Sequence, residues 1–201
     1  FTFSVGNSNG EYPAIEKDKT TEPILSRIVD AADGRLTVIF DDALRVDFSK
    51  LGFHEYAICA NLPYNVGTEL LIGWLQKIAG GEQIKSMTLM FQREVAQRIT
   101  SKPGDEHYGR LAVLTSLLAD AKILFDVPNT AFVPRPKVQS AVVQIIPNPT
   151  KISSIQDLSK IEKITAKLFG QRRKMLRNSL KAVFGNFNGQ EHRFFAMRAE
   201  Q

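Results

Sequence analysis

The segment CANLPYNVGTELL, residues 59–71, joins a predicted strand to a predicted helix. An apolar, β-forming run ends just before Asn61, and a helical pattern begins at Thr68. Between them lie an amide, a proline and an aromatic residue, at Asn61, Pro63 and Tyr64. A strand followed by a turn and a helix is the repeating unit of α/β folds, so the segment predicts an α/β protein.

The same alternation of strand and helix patterns extends over the first two-thirds of the chain. The predicted strands are Tyr12–Glu16, Arg35–Phe40, Glu55–Ala60, Ser86–Gln92, Ala121–Val127 and Ser140–Pro147. The predicted helices are Lys19–Ala32, Thr68–Ile78, Arg93–Ser101 and Arg110–Leu118. A Pro-rich loop without a helix joins the last two strands, so they are predicted to be antiparallel in an otherwise mostly parallel sheet.

After the Pro-Asn-Pro segment at 147–149, only helical patterns remain, at Ile155–Phe169 and Gln171–Val183. We therefore predict two domains, an α/β domain over residues 1–149 and a small, all-helical domain over residues 150–201.

Composition narrows the class of protein. No apolar run approaches the roughly 20 residues of a membrane span, which predicts a soluble protein. The single cysteine, Cys59, cannot form an internal disulfide and fits a reducing, cytoplasmic location. A net charge of +5 favours an anionic partner, with nucleic acid as the first candidate. The three histidines have no metal-ligand spacing, so no metal site is predicted.

Polar residues follow three of the predicted strands. Glu16 ends one strand, Asp41 and Asp42 follow the next, and Asn61 follows a third. Ligands of open α/β sheets bind outside the carboxyl ends of the strands, where an acidic residue accepts hydrogen bonds from ribose hydroxyls. These residues are candidates for a nucleoside site, although solvated strand ends would have the same sequence pattern.

The Asn-Leu-Pro-Tyr turn has groups that would assist the transfer of a methyl group to the amino group of adenine. The Asn61 side-chain oxygen and the Leu62 carbonyl would accept from the amino hydrogens and stabilise the positive charge that develops on nitrogen. Pro63 stiffens the turn, and Tyr64 offers a ring on which an extruded base stacks. Phe132, before the Pro-rich loop, could hold the base from the other side. A turn with a half-buried tyrosine is the plain alternative.

Eight stretches resemble the ribosomal RNA adenine N6-dimethyltransferases, specifically the KsgA/RsmA type that modifies small-subunit rRNA. They are AIEKD, LTVIFDDAL, ANLPYNVGT, LMFQREVAQRI, YGRLAVL, FVPRPKVQSAVV, QRRKMLRNSL and MRAEQ, and they extend over the chain from about residue 14. The resemblance implies a Rossmann-like class I methyltransferase sheet that uses S-adenosylmethionine. The implied targets are two adjacent adenosines in the 3′-terminal hairpin of small-subunit (16S) rRNA, within the assembling 30S subunit, and the implied protein is a monomer.

The resemblance also implies roles for particular residues. Glu16 would bind the cofactor ribose, Asp42 with Ala43 its adenine, and Asn61 would lie between cofactor and substrate. Leu62, Pro63, Tyr64 and Phe132 would surround the target base. The helix QRRKMLRNSLK would place basic residues on phosphates, since Arg173, Arg177 and Lys181 share a helix face. The implied RNA-binding set is Arg135, Lys137, Arg172, Arg173, Lys174 and Arg177, with Arg93 and Arg98 as weaker candidates.

One segment departs from the family. A glycine-rich loop of the form E-x-G-x-G-x-G is replaced by SVGNSNG, and only five residues separate Gly10 from Glu16. A crossover between parallel strands needs about a dozen residues, so no helix fits there. Either the chain lacks this loop or the sequence omits residues at this point, and no cofactor role is assigned to Gly6 or Gly10.

Three other functions stay open at this level. A catalytically inactive rRNA-binding assembly factor would retain the basic surface without methyl transfer. The erythromycin-resistance methylases of large-subunit rRNA share the first elements of this resemblance but usually lack the QRRK helix. DNA adenine methyltransferases usually have a proline at the position of Leu62.

Overall fold

The computed structural model describes residues 3–6, 10, 12–43, 45–47, 50, 55–155 and 157–170, with the side chains of 3–6 excepted. The chain divides into two compact units, Phe1–Gln156 and Asp157–Gln201. The sequence placed the division between residues 149 and 150. The predicted helix Gln171–Val183 lies outside the described residues.

A seven-stranded sheet forms the centre of the first unit, in the order β3-β2-β1-β4-β5-β7-β6. Six of the strands correspond to the predicted ones, with ends that differ by at most two residues. The strands are β1 Phe3–Gly6, β2 Tyr12–Glu16, β3 Leu36–Phe40, β4 Tyr56–Asn61, β5 Ile84–Gln92, β6 Ala119–Val127 and β7 Ser140–Pro147.

The sheet is mixed, because two of its strands reverse direction. β2 with β3 and β4 with β5 are parallel pairs. The predicted reversal of the last strand is confirmed, since β7 is antiparallel to both β5 and β6. β1 was not predicted, and it is antiparallel to both β2 and β4. The few residues after Gly6 permit a hairpin but not a parallel crossover, which explains the direction of β1.

Five helices correspond to predicted ones, with differences at their ends, and α5 was not predicted. The helices are α1 Glu22–Ala31, α2 Gly67–Ala79, α3 Arg93–Thr100, α4 Arg110–Leu118, α5 Pro149–Ser153 and, in the second unit, α6 Leu158–Phe169. The predicted start at Lys19 is wrong because Lys19–Thr21 is a 3-10 turn and Pro23 lies in the first turn of α1. The helix predicted from Ile155 begins at Leu158, where the Asp157 side chain accepts from the Lys160 N–H.

The core of the first unit lies between one face of the sheet and the helices α2, α3 and α4. Alternate residues of β5 and β7 face it, as the two-residue period of a strand requires. The fully buried side chains include Met87, Leu89, Ala141, Val143 and Ile145 from the sheet, and Leu71, Trp74 and Leu75 from α2.

Within the part of the chain that the structure describes, no helix is long and apolar enough to cross a membrane.

Candidate active site

The predicted polar residues lie along one edge of the sheet, which we call the carboxyl edge because β2, β3, β4 and β5 end there. Glu16 is paired with Phe40, the last residue of β3. Asn61 is paired with Met90, near the end of β5. The structure therefore brings Glu16, Asp42 and Asn61 to the same edge, as the sequence predicted from their positions after the strands.

Glu16 is a buried carboxylate at this edge, with only 2% of its surface exposed. Its Oε1 accepts a hydrogen bond of 2.8 Å from the backbone N–H of Asp18. Burial raises the pKa of the Glu16 carboxyl, whereas hydrogen bonds from the backbone N–H groups of Asp18 and Lys17 lower it. As a carboxylate, Glu16 is a strong acceptor for hydroxyl groups.

Asp42 is the second residue after β3 and is followed by the half-buried Ala43. The Asp42 carboxylate accepts a hydrogen bond of 2.7 Å from the ammonium group of Lys17. Its backbone N–H donates to Oδ1 of Asp41 at 2.7 Å. The pair with Lys17 joins the ends of β2 and β3, and the sequence analysis did not anticipate it.

The Asn61–Tyr64 turn begins at the end of β4. Asn61 is exposed, whereas Leu62 is buried against the core with 3% exposure. The carbonyl of Pro63 accepts from the N–H groups of Val66 at 3.2 Å and Gly67 at 2.9 Å, which begins α2. The Leu62 carbonyl takes no part in these two bonds.

The two aromatic candidates approach the carboxyl edge from different elements. Tyr64 follows β4, and 42% of its surface is exposed. Its hydroxyl is hydrogen-bonded to the Ser140 hydroxyl at 2.9 Å. Phe132 is half-buried in the loop between β6 and β7, after a 3-10 turn over Asn129–Ala131. That Tyr64 and Phe132 hold one base between them stays a prediction.

The basic candidates differ in their surroundings. Arg135 is exposed, and its Nε donates to Oδ1 of Asn129 at 3.0 Å. Lys137 is also exposed. Arg93 is paired with Asp126 at 3.1 Å, which makes it a weaker candidate for a phosphate contact. The predicted Arg172, Arg173, Lys174 and Arg177 lie outside the described residues.

The glycine segment SVGNSNG, residues 4–10, starts within β1, and the last residue of that strand, Gly6, lies toward the opposite edge of the sheet. Because β1 is antiparallel to β4, Gly6 is paired with Ala57 near the start of β4, and Phe3 with Ala60 near its end. The backbone of Gly6 is thus separated from Asn61 by most of the length of β4. This placement agrees with assigning no cofactor role to Gly6.

The sequence analysis also missed Gly67, the first residue of α2. A Cβ at Gly67 would lie 3.3 Å from the Leu62 Cβ and 3.3 Å from the Phe91 ring. Distances this short require the neighbours to move. Because Gly67 has no side chain, α2 can begin in contact with the turn that positions Asn61. The sequence pattern that could have identified Gly67 is a glycine at the start of a predicted helix.

We expect Gly67→Ala to destabilise the protein by about 1–3 kcal/mol, because the added methyl overpacks a buried site. Gly73→Ala is the matched control on the same helix, where a Cβ meets nothing within 4 Å. The control should be neutral or stabilising by up to about 1 kcal/mol. Urea unfolding of both variants measures the difference. Equal stability of Gly67→Ala and Gly73→Ala would contradict this account of the turn.

The strand order, the reversed β7 and the acidic and amide groups at the carboxyl edge define a Rossmann-like domain of the methyltransferase class. No group of three or more potential metal ligands occurs among the described residues. The chain belongs to the ribosomal RNA adenine dimethylase family, whose model matches residues 1–198.

Curated relatives of the chain are named ribosomal RNA small subunit methyltransferase A. The protein of Caulobacter vibrioides is 48% identical over 172 residues, which are 86% of this chain and 65% of that protein. The protein of Phenylobacterium zucineum is 51% identical over 173 residues, 86% of this chain and 59% of that protein. The chain therefore spans less than two-thirds of the length of these relatives.

Two solved structures share the fold. A dimethyladenosine transferase from Plasmodium falciparum has a TM-score of 0.70 at 23% identity, over 93% of this chain and 66% of that one. The 23S rRNA methyltransferase ErmE has a TM-score of 0.62 at 21% identity, over 85% of this chain and 66% of that one. The predicted Rossmann-like methyltransferase fold is confirmed.

Proposed function

We propose that the protein is an S-adenosylmethionine-dependent rRNA adenine N6-dimethyltransferase. Its substrates are two adjacent adenosines in the 3′-terminal hairpin of small-subunit (16S) rRNA. The observation that carries the proposal is that the buried Glu16 carboxylate and the Asn61–Tyr64 turn lie at the same edge of the sheet, at the ends of β2 and β4. Family membership and the names of the relatives support the same reaction.

The residues at the carboxyl edge fit the nucleoside half of the cofactor. A ribose has two vicinal hydroxyl donors, and the ionised Glu16 accepts from such donors. Asp42 and Ala43 follow the adjacent strand, where an adenine amino group would find a carboxylate acceptor. The cofactor supplies a methyl group on a positively charged sulfur. The methionine half has no matching glycine loop in the described part of this edge, and we assign it no residue.

Asn61 and Tyr64 act on the target base. The amide oxygen of Asn61 and the carbonyl of Leu62 accept from the amino hydrogens of adenine, which favours a tetrahedral nitrogen and stabilises its developing positive charge. Because the amino proton becomes acidic as the new bond forms, it leaves to water without a tuned general base. The exposed ring of Tyr64 supports the base by stacking, with Phe132 as its second aromatic contact.

Binding to rRNA rests on positive charge. Arg135 and Lys137 lie in the loop that contains Phe132, so phosphates beside the target base lie within reach of this loop. A second predicted group of phosphate-binding residues is Arg172, Arg173, Lys174 and Arg177, which lie outside the described residues. The partner is the assembling 30S subunit, and the protein acts as a cytoplasmic monomer.

A methyl-transfer assay tests the proposal. The purified protein is incubated with undermethylated small subunits and S-adenosylmethionine that has a labelled methyl group, and the rRNA is digested to nucleosides. The expected product is N6,N6-dimethyladenosine at two adjacent positions of the 3′-terminal hairpin. Label on another nucleoside, or on large-subunit rRNA only, would contradict the assignment.

The direction of β1 favours a second candidate, an rRNA-binding assembly factor without methyl transfer. Gly6 lies away from the carboxyl edge, so the described residues include no glycine loop beside the methionine half of the cofactor. Such a factor would bind undermethylated small subunits tightly and with a steep dependence on salt. Binding without any incorporation of label in the same assay would select this candidate over the enzyme.

A further inference from the structure

We propose that Ser140 is a positioning residue that holds the ring of Tyr64 in place for the target base. The proposal rests on the function proposed above, in which Tyr64 supports an extruded adenine. It assigns a role to a residue of the KVQSAVV stretch that the sequence analysis had quoted only as part of a resemblance.

The hydrogen bond between the two hydroxyl groups carries the proposal. Tyr64 Oη lies 2.9 Å from Ser140 Oγ, although the residues are 76 positions apart in the chain. Each hydroxyl group can donate or accept, so the bond forms in either direction. Among the described residues, this is the hydrogen bond that the structure gives to each of these side chains.

The two hydrogen-bonded residues differ in how firmly the surrounding fold holds them. Ser140 is fully buried and is the first residue of β7, where it is paired with Gln92 of β5 and Val127 of β6. A residue held by two neighbouring strands has little freedom to move. Tyr64 lies in a turn and is 42% exposed, so packing alone does not fix its ring. The bond therefore attaches the exposed partner to the buried one.

The same bond joins the two parts of the proposed base site. Tyr64 belongs to the turn after β4, whereas Ser140 follows the loop that contains Phe132. A contact between these segments fixes the position of the Tyr64 ring relative to β7, the strand that follows the loop of Phe132. A stacking surface that is already ordered loses less conformational entropy when the base binds.

A double-mutant cycle tests the role of Ser140. We expect Ser140→Ala and Tyr64→Phe each to lower kcat/KM for undermethylated small subunits about two- to tenfold, with an unchanged KM for S-adenosylmethionine. The double variant should lose no more than either single variant, because both changes remove one bond. Losses that multiply in the double variant, or a Tyr64→Phe variant with wild-type activity, would overturn the proposal.

Ser116→Ala is the matched control, since Ser116 is an exposed serine of α4 whose hydroxyl donates only to the Val113 carbonyl. It should leave kcat/KM unchanged. If Ser140→Ala does not fold, Tyr64→Phe removes the same bond from the exposed partner, and its expected loss decides the question.

A spectroscopic readout separates this proposal from the proposed function. The chain has four tyrosines, so ring-labelled tyrosine gives few NMR signals to assign. Ser140→Ala should shift the Tyr64 ring signals and increase the ring mobility, whereas Ser116→Ala should not. This outcome without any methyl transfer by the wild-type protein would contradict the proposed function but support the positioning role. An unchanged Tyr64 signal would overturn the positioning role whatever the activity.

Discussion

Asn61→Ala is expected to lower kcat for methyl transfer by at least about 100-fold, because it removes an acceptor that stabilises the charge developing on the adenine nitrogen. Asn61 is exposed at the end of β4, so its loss leaves the core intact. The measurement is single-turnover transfer of label to undermethylated small subunits. Affinity for the subunits should change little, since the effect arises in the transition state.

Asn65→Ala is the matched control for this prediction. Asn65 is an exposed asparagine immediately after Tyr64, and it is not at the end of a strand. We expect wild-type kcat from this variant. Equal loss from Asn61→Ala and Asn65→Ala would mean that the turn is sensitive to any change. Wild-type activity of Asn61→Ala would mean that Asn61 has no role in the mechanism.

Tyr64→Ala is expected to weaken binding of undermethylated small subunits about 5- to 150-fold. The estimate follows from base-aromatic stacking, which is worth about 1–3 kcal/mol for each base. Because adenine must leave its stack before it reacts, loss of the supporting ring also lowers the population of the reactive complex. Filter binding at fixed salt, combined with steady-state kinetics, measures both effects.

Tyr12→Ala serves as its control, because Tyr12 is 44% exposed against 42% for Tyr64. Tyr12 is the first residue of β2 and therefore lies at the opposite edge of the sheet from Glu16. Its removal should leave subunit binding unchanged. An equal loss from both tyrosine variants would show that exposed aromatic area in general, rather than the turn after β4, binds the RNA.

The pattern of apolar and polar residues was sufficient for most of the fold. β2 and β7 have the predicted bounds, because each is a short, mainly apolar run with polar or turn-forming residues on both sides. β1 was not recoverable, since four residues are too few for a reliable period and its second partner, β4, is distant in sequence. The start of α1 was missed for a local reason, namely that the 3-10 turn at Lys19–Thr21 has the same residue types as a helix.

The candidate site was predictable where a residue's position follows from the end of a strand. Glu16 and Asn61 were identified in this way, and the structure places both at the carboxyl edge. Pairs that join distant segments were not predictable. The bond between Tyr64 and Ser140 and the pair between Lys17 and Asp42 depend on which strands are neighbours, and the sequence of either partner contains no sign of them.

The most direct test of the central claim is to locate the bound cofactor on the chain. The protein is irradiated with radiolabelled S-adenosylmethionine and digested with a protease that cleaves after glutamate, because cleavage after Glu11 separates Gly6 and Gly10 from Glu16. The cross-linked peptides are identified by mass spectrometry. We predict label on the peptides that contain Glu16, Asp42 and Asn61, reduced by excess unlabelled cofactor. Label confined to the peptide with Gly6 and Gly10 would contradict the account, since Gly6 is paired near the start of β4.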